Sequence, residues 1–345
     1  MSSPFLCLSD VSKNYPVGQR RLGRPQKVVQ AVDQVSVTMA KGETLGLVGE
    51  SGCGKSSLAR LIMRLEEPSS GTITLDGVDM ATLSKTELKA QRRRFQMVFQ
   101  DPYASLNPRM RVRASLAEAL VNYRYGSKAD INARVEELAG QVGLSSYHLD
   151  RFPHELSGGQ CQRVGLARAI ALEPDLIVAD EPVSALDVSI QAQILNLIMR
   201  LQKSMGLTLV FVSHDLSVVA HVADRVAVMY LGRIVETGPV HEVFKSPKHP
   251  YTQTLLAAIP TPTPDRRGEK ADVTGELPSP LSPPSGCHFR TRCHYAQPRC
   301  GQDVPALRLF GEAQQVACHF AEDFASPGLI GVRDDDIEHV GSNAL

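Results

Sequence analysis

The stretch TLGLVGESGCGKSS at residues 44–57 decides the fold class. Its apolar first part predicts a short buried strand, and the rest fits the pattern Gly-x-x-x-x-Gly-Lys-Ser in front of a helix. Glycines let successive backbone N–H groups turn inward to bind an anion, and the helix adds the positive end of its dipole. We therefore predict a phosphate-binding loop formed by Gly49, Glu50, Ser51, Gly52, Cys53, Gly54, Lys55, Ser56 and Ser57.

Two side chains of this loop have predicted tasks. Lys55 reaches the β- and γ-phosphates of a nucleotide such as ATP, and the Ser56 hydroxyl binds Mg²⁺. The alternative is a plain glycine turn between a strand and a helix. The strand before the motif and the helix after it favour the phosphate site.

A second apolar run, LIVADE at residues 176–181, ends in two carboxylates. We predict that Asp180 holds Mg²⁺ through water and that Glu181 polarises a water molecule for attack on the γ-phosphate. Two solvated acids at the end of a strand are the alternative. The phosphate loop earlier in the chain makes the catalytic interpretation the better one.

The first 240 residues alternate between strand and helix patterns. Residues 175–180 and 207–212 are short apolar runs rich in β-branched side chains, typical of buried strands in a mixed or parallel sheet. Apolar residues at helical spacing between them predict a helix that packs on the sheet. Residues 70–80 predict a hairpin with its turn at Asp-Gly, and about 101–165 predict a helical subdomain. The chain is expected to adopt an α/β fold.

Composition and charge exclude several classes of protein. The 345 residues are 43% hydrophobic, and 37 basic residues balance 37 acidic ones. A chain without net charge is not expected to bind nucleic acid by bulk electrostatics. The longest apolar runs are too short to cross a bilayer, and the N-terminus lacks the basic start and apolar stretch of a secretory signal. We expect a cytoplasmic protein that reaches a membrane only through partners.

The cysteines are unevenly distributed. Four of the seven lie within residues 287–318, with the spacing C-x5-C-x6-C-x17-C. Structural zinc sites usually contain a C-x2–4-C knuckle, which is absent, whereas four widely spaced thiolates suit a 4Fe-4S iron–sulfur cluster. His288, His294 and His319 each follow a cysteine, so mixed Cys/His zinc ligation stays open, as do free thiols. The candidate ligands are Cys287, Cys293, Cys300 and Cys318.

The C-terminal third also suggests domain boundaries. Seven prolines between Pro260 and Gly286 predict an extended linker. We expect a nucleotide-binding domain over 1–258, an extension with the four cysteines over 259–325 and a loose tail over 326–345. The extension is poor in large apolar residues, so a metal is expected to supply part of its folding free energy. Because it is far in sequence from every phosphate motif, we predict a structural or docking role and ATP binding independent of it.

The motif LSGGQ at residues 156–160 resembles the signature of ATP-binding cassette proteins. In that family the signature of one subunit caps the γ-phosphate held by another. The resemblance implies an ABC-type nucleotide-binding domain in which Ser157, Gly158, Gly159 and Gln160 contact ATP in trans. Cys161 departs from the pattern, because a basic residue is common at that position. The departure affects a charge interaction that the family pattern implies near the phosphate bound by the other subunit.

Four further positions match motifs of the same family. Gln100 corresponds to the glutamine whose side chain reaches Mg²⁺ and the attacking water. Asp187, in SALD at 184–187, corresponds to the loop at the dimer seam. His214 corresponds to the histidine that senses the γ-phosphate, and Tyr15 to the aromatic residue that stacks on adenine.

Later motifs narrow the resemblance. YASLNPRM at 103–110, HPYTQTLL at 249–256, GELPSP at 275–280 and the four cysteines are similar to the ATPase subunits of bacterial dipeptide and oligopeptide importers. The start of the chain and Cys53 resemble the second of the two ATPase paralogues in such importers. The resemblance implies ATP hydrolysis that energises peptide import, Mg²⁺ as cofactor, and a 4Fe-4S cluster on the cysteines.

The same resemblance implies partners and a location. These are a second ATPase subunit (a paralogue or a copy of this chain) in a head-to-tail dimer, two integral membrane permeases and, indirectly, a periplasmic solute-binding protein. The chain would lie at the cytoplasmic face of the inner membrane as a peripheral subunit. Nickel, opine or glutathione importers are the alternative. A soluble cassette protein that remodels DNA or ribosomes is another, but this chain has one cassette and no heptads.

Overall fold

The computed structural model describes residues 3–18, 26–258 and 277–324. The predicted linker, except for its last residues, and the predicted tail at 326–345 lie outside these ranges. The chain divides into two compact units. One unit comprises the described residues of Met1–Leu6, Met39–Thr44 and Leu75–Val212, and the other comprises the described residues of Cys7–Thr38, Leu45–Thr74 and Ser213–Leu345.

The described residues form strands and helices in alternation, as the apolar pattern predicts. The strands are β1 Leu6–Val17, β2 Lys27–Met39, β3 Thr44–Val48, β4 Ser70–Leu75, β5 Val78–Asp79, β6 Phe95–Val98, β7 Leu176–Asp180, β8 Thr208–Ser213, β9 Arg225–Tyr230, β10 Arg233–Pro239, β11 Arg308–Phe310 and β12 Gln314–Val316. The helices are α1 Lys55–Ile62, α2 Lys85–Gln91, α3 Val112–Asn122, α4 Lys128–Gln141, α5 Ser146–Leu149, α6 Gly158–Ile170, α7 Val188–Met205, α8 Leu216–Val222, α9 Val240–Lys245, α10 Pro250–Ala257 and α11 Arg299–Gln302.

In the first unit, β6, β7 and β8 run parallel. Val98 pairs with Ala179, and Asp180 pairs with Val212. The carboxyl ends of parallel strands meet at one edge of a sheet, so the residues that follow β6 and β7 emerge side by side. All residues of β7 and β8 are buried, which explains why both strands read as continuous apolar runs.

The predicted helical segment of this unit contains α3, α4, α5 and α6. These helices pack on one another through fully buried leucines and valines, including Leu116, Leu120, Leu138 and Val164. Helix α7 follows β7 and buries Ile194, Leu197, Ile198 and Leu201, the centre of its predicted apolar stripe. The positive φ of Asp76 and Gly77, between β4 and β5, marks the predicted turn.

In the second unit, β3 runs parallel to β9, and β9 pairs antiparallel with β10. β12 adds to β10 with Glu236 opposite Val316, and β11 pairs with β12. A second sheet has the order β2-β1-β4. The segment that contains the four cysteines (residues 287–324, the cysteine segment) therefore packs on the rest of the unit by extending the sheet and by burying Phe289, Val316 and Ala321. Its amino-acid composition alone does not reveal this buried apolar surface. Among the described residues, no helix is long and apolar enough to span a bilayer.

Candidate nucleotide site

The backbone of the predicted phosphate loop requires its glycines. Gly49 and Gly54 have φ values of 154° and 109°. A Cβ at Gly49 would lie 2.2 Å from the Met229 carbonyl oxygen, and one at Gly54 would lie 2.0 Å from that of Ala31. Any side chain there would force the backbone apart. Helix α1 begins at Lys55 without a side-chain cap, so the first N–H groups of the helix are not capped by a side chain.

Lys55 lies over its own loop. Its side chain is 5% exposed, and Nζ donates hydrogen bonds to the carbonyl oxygens of Gly49 at 2.8 Å and Glu50 at 3.0 Å. Ser56 and Ser57 are half-buried, whereas Ser51 and Gly52 are exposed. A cation and the start of a helix are thus concentrated in one short loop, an arrangement that suits phosphate oxygens.

Cys53 faces the interior instead of the loop surface. It is 1% exposed, and burial raises the pKa of its thiol. Its carbonyl oxygen accepts a hydrogen bond from the N–H of Gly232. Only the backbone of Cys53 is therefore placed to contact a ligand.

The predicted catalytic carboxylate and the glutamine meet at the sheet edge of the first unit. The Gln100 amide donates from Nε2 to Oε2 of Glu181 at 2.9 Å, although the residues are 81 positions apart. Glu181 has a φ of 47°, and its N–H donates to the Val212 carbonyl at 3.0 Å. Asp180, the last residue of β7, is 8% exposed. Glu181 thus has an oriented carboxylate that can accept a proton.

The signature motif starts a helix. The Ser157 hydroxyl accepts from the Gln160 N–H, and the Gln160 side chain accepts from the Ser157 N–H, which is a capping box at the start of α6. A Cβ at Gly159 would lie 2.5 Å from a methyl group of Ile190. Asp187 is the N-cap residue of α7, and its carbonyl accepts from the N–H of Ile190. These residues all belong to the first unit.

Cys161 does not lie on the ligand face of the signature. It is fully buried, its Sγ lies 3.5 Å from the Pro153 carbonyl, and burial raises the pKa of the thiol to about 11. A neutral, buried thiol has no charge to offer a phosphate. The charge interaction considered from the sequence is therefore not available to this side chain.

Tyr15 and His214 belong to the second unit. The Tyr15 hydroxyl donates to the Glu66 carboxylate, and Lys13 Nζ lies 5.1 Å from the ring centroid. Burial, then the bond to Glu66, raises the pKa of Tyr15, while Ser57 of the phosphate loop lowers it. His214 is exposed and lies between Ser213, at the end of β8, and Asp215, the N-cap residue of α8.

Two residues that sequence reasoning missed contact the phosphate loop. The Arg292 guanidinium forms a bidentate ion pair with Glu50, and the Tyr251 hydroxyl accepts from the Glu50 N–H at 2.8 Å. Tyr251 belongs to the HPYTQTLL motif, but nothing in the pattern indicates its partner. No local signal could have found Arg292, which is 242 positions from Glu50.

The four C-terminal cysteines share one narrow cavity. Cys287, Cys293, Cys300 and Cys318 all line it. Burial raises the pKa of the Cys293 thiol to about 11 and that of Cys318 to about 12. Across the described ranges, no group of three or more His, Cys, Asp or Glu side chains is arranged to hold a single metal ion.

Two of the three histidines beside these cysteines bond to backbone carbonyls. His288 Nδ1 lies 3.3 Å from the Leu231 oxygen, and His319 Nε2 lies 3.0 Å from the Asp303 oxygen. Burial lowers the pKa of His288. These contacts weaken the case for mixed Cys/His zinc ligation.

Comparison with known proteins gives a consistent result. Residues 32–184 match the ABC transporter family, and residues 235–300 match the oligopeptide/dipeptide transporter C-terminal region. The chain is 51% identical over 319 residues to a probable peptide ABC transporter ATP-binding protein, y4tS, of Sinorhizobium fredii, covering 92% of this chain and 90% of the relative. It is 49% identical over 320 residues to the oligopeptide transport ATP-binding protein AppF of Bacillus subtilis, covering 91% and 97%.

A solved structure shows the same fold. The ATP-binding cassette MJ0796, as a dimer in a post-hydrolysis state bound to ADP and Pi, superposes with a TM-score of 0.61 and 29% identity, covering 68% of this chain and 98% of that one. The P-loop α/β fold predicted from residues 44–57 is thereby confirmed. The chain belongs to the ABC transporter family and is one of its ATP-hydrolysing subunits.

Proposed function

We propose that this chain hydrolyses ATP to energise the import of dipeptides or oligopeptides through partner permeases. The observation that carries the proposal is the match of residues 235–300 to the C-terminal region of oligopeptide/dipeptide transporters. Relatives about half identical over nearly the whole chain are named for peptide or oligopeptide transport. The partners would be a second ATPase subunit, two permeases and, indirectly, a solute-binding protein, with this chain peripheral at the cytoplasmic face of the inner membrane.

The proposed chemistry assigns a task to each predicted residue. Lys55 and the loop backbone bind the β- and γ-phosphates, and Tyr15 stacks on adenine. Mg²⁺, when bound, neutralises phosphate charge, and Ser56, Asp180 and Gln100 are its proposed ligands, directly or through water. Oxygen donors of this kind fit a hard cation.

Glu181 is the proposed general base. Its carboxylate would accept the proton of the attacking water, and its bond to Gln100 would fix the orientation of that carboxylate. His214 would sense the γ-phosphate. The capped start of α6, with Ser157 and Gly159, would bind the γ-phosphate of the partner subunit, and Asp187 would lie at the dimer seam.

The transported solute is tested by uptake. The chain is co-expressed with candidate permeases and a candidate solute-binding protein, and vesicles are loaded with ATP and supplied with a labelled dipeptide outside. We expect the wild-type chain to support uptake of the dipeptide and the Lys55→Ala variant to abolish it. Uptake of nickel or glutathione without dipeptide uptake would transfer the proposal to the alternative importer class.

We also propose that the cysteine segment, which is part of the C-terminal extension, holds a 4Fe-4S cluster. The support is that Cys287, Cys293, Cys300 and Cys318 all line one cavity, so four thiols are available to a single group. A cluster spreads its thiolates around a larger centre. Bound there, it would deprotonate thiols that burial otherwise keeps neutral, and it would stabilise residues 287–318.

The cluster proposal predicts a metal content. After anaerobic purification, we expect about four irons and four sulfides per chain with broad visible absorbance. Cys293→Ser should lose the iron, whereas Cys7→Ser, a half-buried cysteine outside the cavity, should keep it. One zinc and no iron, or no metal with four freely titrating thiols, would contradict the cluster.

A further inference from the structure

The cysteine segment carries an arginine that reaches the phosphate loop. Arg292 Nη1 donates to Glu50 Oε2 at 2.8 Å, and Nη2 donates to Oε1 at 3.0 Å. Arg292 is 8% exposed, so this ion pair is largely shielded from solvent on the arginine side. A bidentate pair fixes both the position and the orientation of the carboxylate. Glu50 is thereby held from outside its own loop.

Aromatic side chains support the same contact. Tyr251, Tyr230 and Phe289 pack with ring centroids 4.7 to 5.4 Å apart, and the Arg292 guanidinium lies 5.9 Å from the Tyr230 ring. The Tyr251 hydroxyl accepts from the Glu50 N–H, and burial strongly raises the pKa of Tyr251, so this hydroxyl stays neutral. Both the backbone and the side chain of Glu50 are therefore anchored to residues C-terminal to β9.

The charge of Glu50 makes this anchoring important for an anion site. Glu50 is a carboxylate inside a loop that must attract phosphate, and its charge opposes that of Lys55, whose Nζ donates to the Glu50 carbonyl. Arg292 neutralises the carboxylate at direct contact. Without it, an unpaired negative charge would lie in the loop and repel the phosphates.

We propose that Arg292 is a positioning residue of the nucleotide site: it compensates Glu50 and holds the phosphate loop, so ATP affinity depends on the C-terminal segment. This inference rests on the proposed role of residues 49–57 in ATP binding. It needs neither the cluster nor the peptide substrate. It also reverses the expectation that nucleotide binding is independent of this segment.

The test is ATP affinity of the full-length chain, measured by titration of a fluorescent ATP analogue with Mg²⁺. Arg292→Gln should weaken binding about 10-fold, which corresponds to about 1.4 kcal/mol. The matched control is Arg308→Gln, which removes another bidentate pair in the same segment, with Glu322, that is exposed and does not contact the loop. This control should bind ATP as wild type does.

A second variant separates charge from folding. The double variant Arg292→Gln/Glu50→Gln removes both charges and keeps two side chains that can hydrogen-bond, so it should recover most of the lost affinity. Circular dichroism reports whether each variant is folded. If Arg292→Gln fails to fold, Arg292→Lys decides the matter: it keeps the compensating positive charge but loses the bidentate geometry, so ATP affinity should fall by less than 10-fold.

Three results would overturn the inference. They are equal affinity of folded Arg292→Gln and wild type, no recovery in the double variant, and, where only Arg292→Lys folds, an affinity of Arg292→Lys equal to that of wild type. Lys55→Ala tests separately whether residues 49–57 bind ATP. If Lys55→Ala binds ATP as wild type does, the role proposed for residues 49–57 is wrong, whatever Arg292 does.

Discussion

At the residue scale, Glu181 combines two features that suit a catalytic group. Its φ of 47° is unusual for a residue with a side chain, and the amide of Gln100 donates a hydrogen bond to its carboxylate. Strained backbone of this kind persists where surrounding bonds determine it, here the bond from the Glu181 N–H to Val212. The carboxylate is thus oriented before any substrate binds.

Glu181→Gln should therefore bind ATP and hydrolyse it about 10²–10⁴-fold more slowly, because the amide keeps the shape and the contact with Gln100 but cannot accept a proton. The measurement is phosphate release by the assembled transporter. The control is Glu173→Gln, which also changes a glutamate of positive φ in the same unit, at an exposed position. Wild-type turnover in Glu181→Gln would show that another group is the base.

At the element scale, the start of α6 serves two purposes. Its capping box satisfies backbone N–H groups locally, and Gly159 allows close packing against Ile190, since a Cβ there would lie 2.5 Å from a methyl group of that residue. The start of α4 has a similar box, formed by Ser127 and Asp130, without the glycines. A comparison of variants at the starts of α6 and α4 can therefore separate the effect of losing a helix cap from the effect of losing a ligand contact.

Ser157→Arg is expected to leave ATP binding by the isolated chain intact and to block hydrolysis by the assembled pair, because a large side chain would occupy the place proposed for the partner's γ-phosphate. Loss of the cap itself costs about 1 kcal/mol of stability. Ser127→Arg loses a comparable cap and should hydrolyse ATP normally. Equal loss of hydrolysis in both variants would mean that Ser157 acts only in folding.

At the scale of the whole molecule, two buried polar groups hold the C-terminal segment to the sheet. Glu236, fully buried on β10, accepts from the N–H groups of Lys248 and His249 and from the Gln314 amide. Burial raises the pKa of Glu236. His249 is 1% exposed, and its Nδ1 accepts from the Tyr251 N–H, which requires a neutral ring.

Burial lowers the pKa of His249 from 6.5 to about 3. Below pH 6.5 the unfolded chain binds a proton that the native chain excludes, so stability falls as the pH decreases from about 6.5 towards 3. From this residue alone, the free energy of unfolding should drop by about 2 kcal/mol between about pH 7.5 and about pH 5. Urea unfolding at the two pH values measures the drop.

The matched variant for this prediction is His249→Asn. The asparagine oxygen can still cap α10 by accepting from the Tyr251 N–H, and it does not titrate in this range. The variant should therefore show a pH dependence smaller by about the same amount. An unchanged pH dependence would indicate that His249 is not the group that takes up the proton.

The sequence by itself determined the elements and the positions of the loop glycines. The runs at 44–49, 175–180 and 207–212 correspond to β3, β7 and β8, and the apolar stripe between the last two corresponds to α7. Such local structure is predictable because burial of one face imposes a period on neighbouring residues. The need for glycine at positions 49 and 54 was also predictable from the sequence, since few other residues tolerate the φ values found there.

Only the tertiary structure decided which distant residues meet. It paired Gln100 with Glu181, buried Cys161 beneath the signature, and placed Arg292 on Glu50 across 242 positions of sequence. No local period encodes such contacts, because each joins residues from separate elements of the chain. Distance along the chain indicated that the C-terminal segment and the phosphate loop were independent. Folding brings them into direct contact because the sheet continues through β10 into β12.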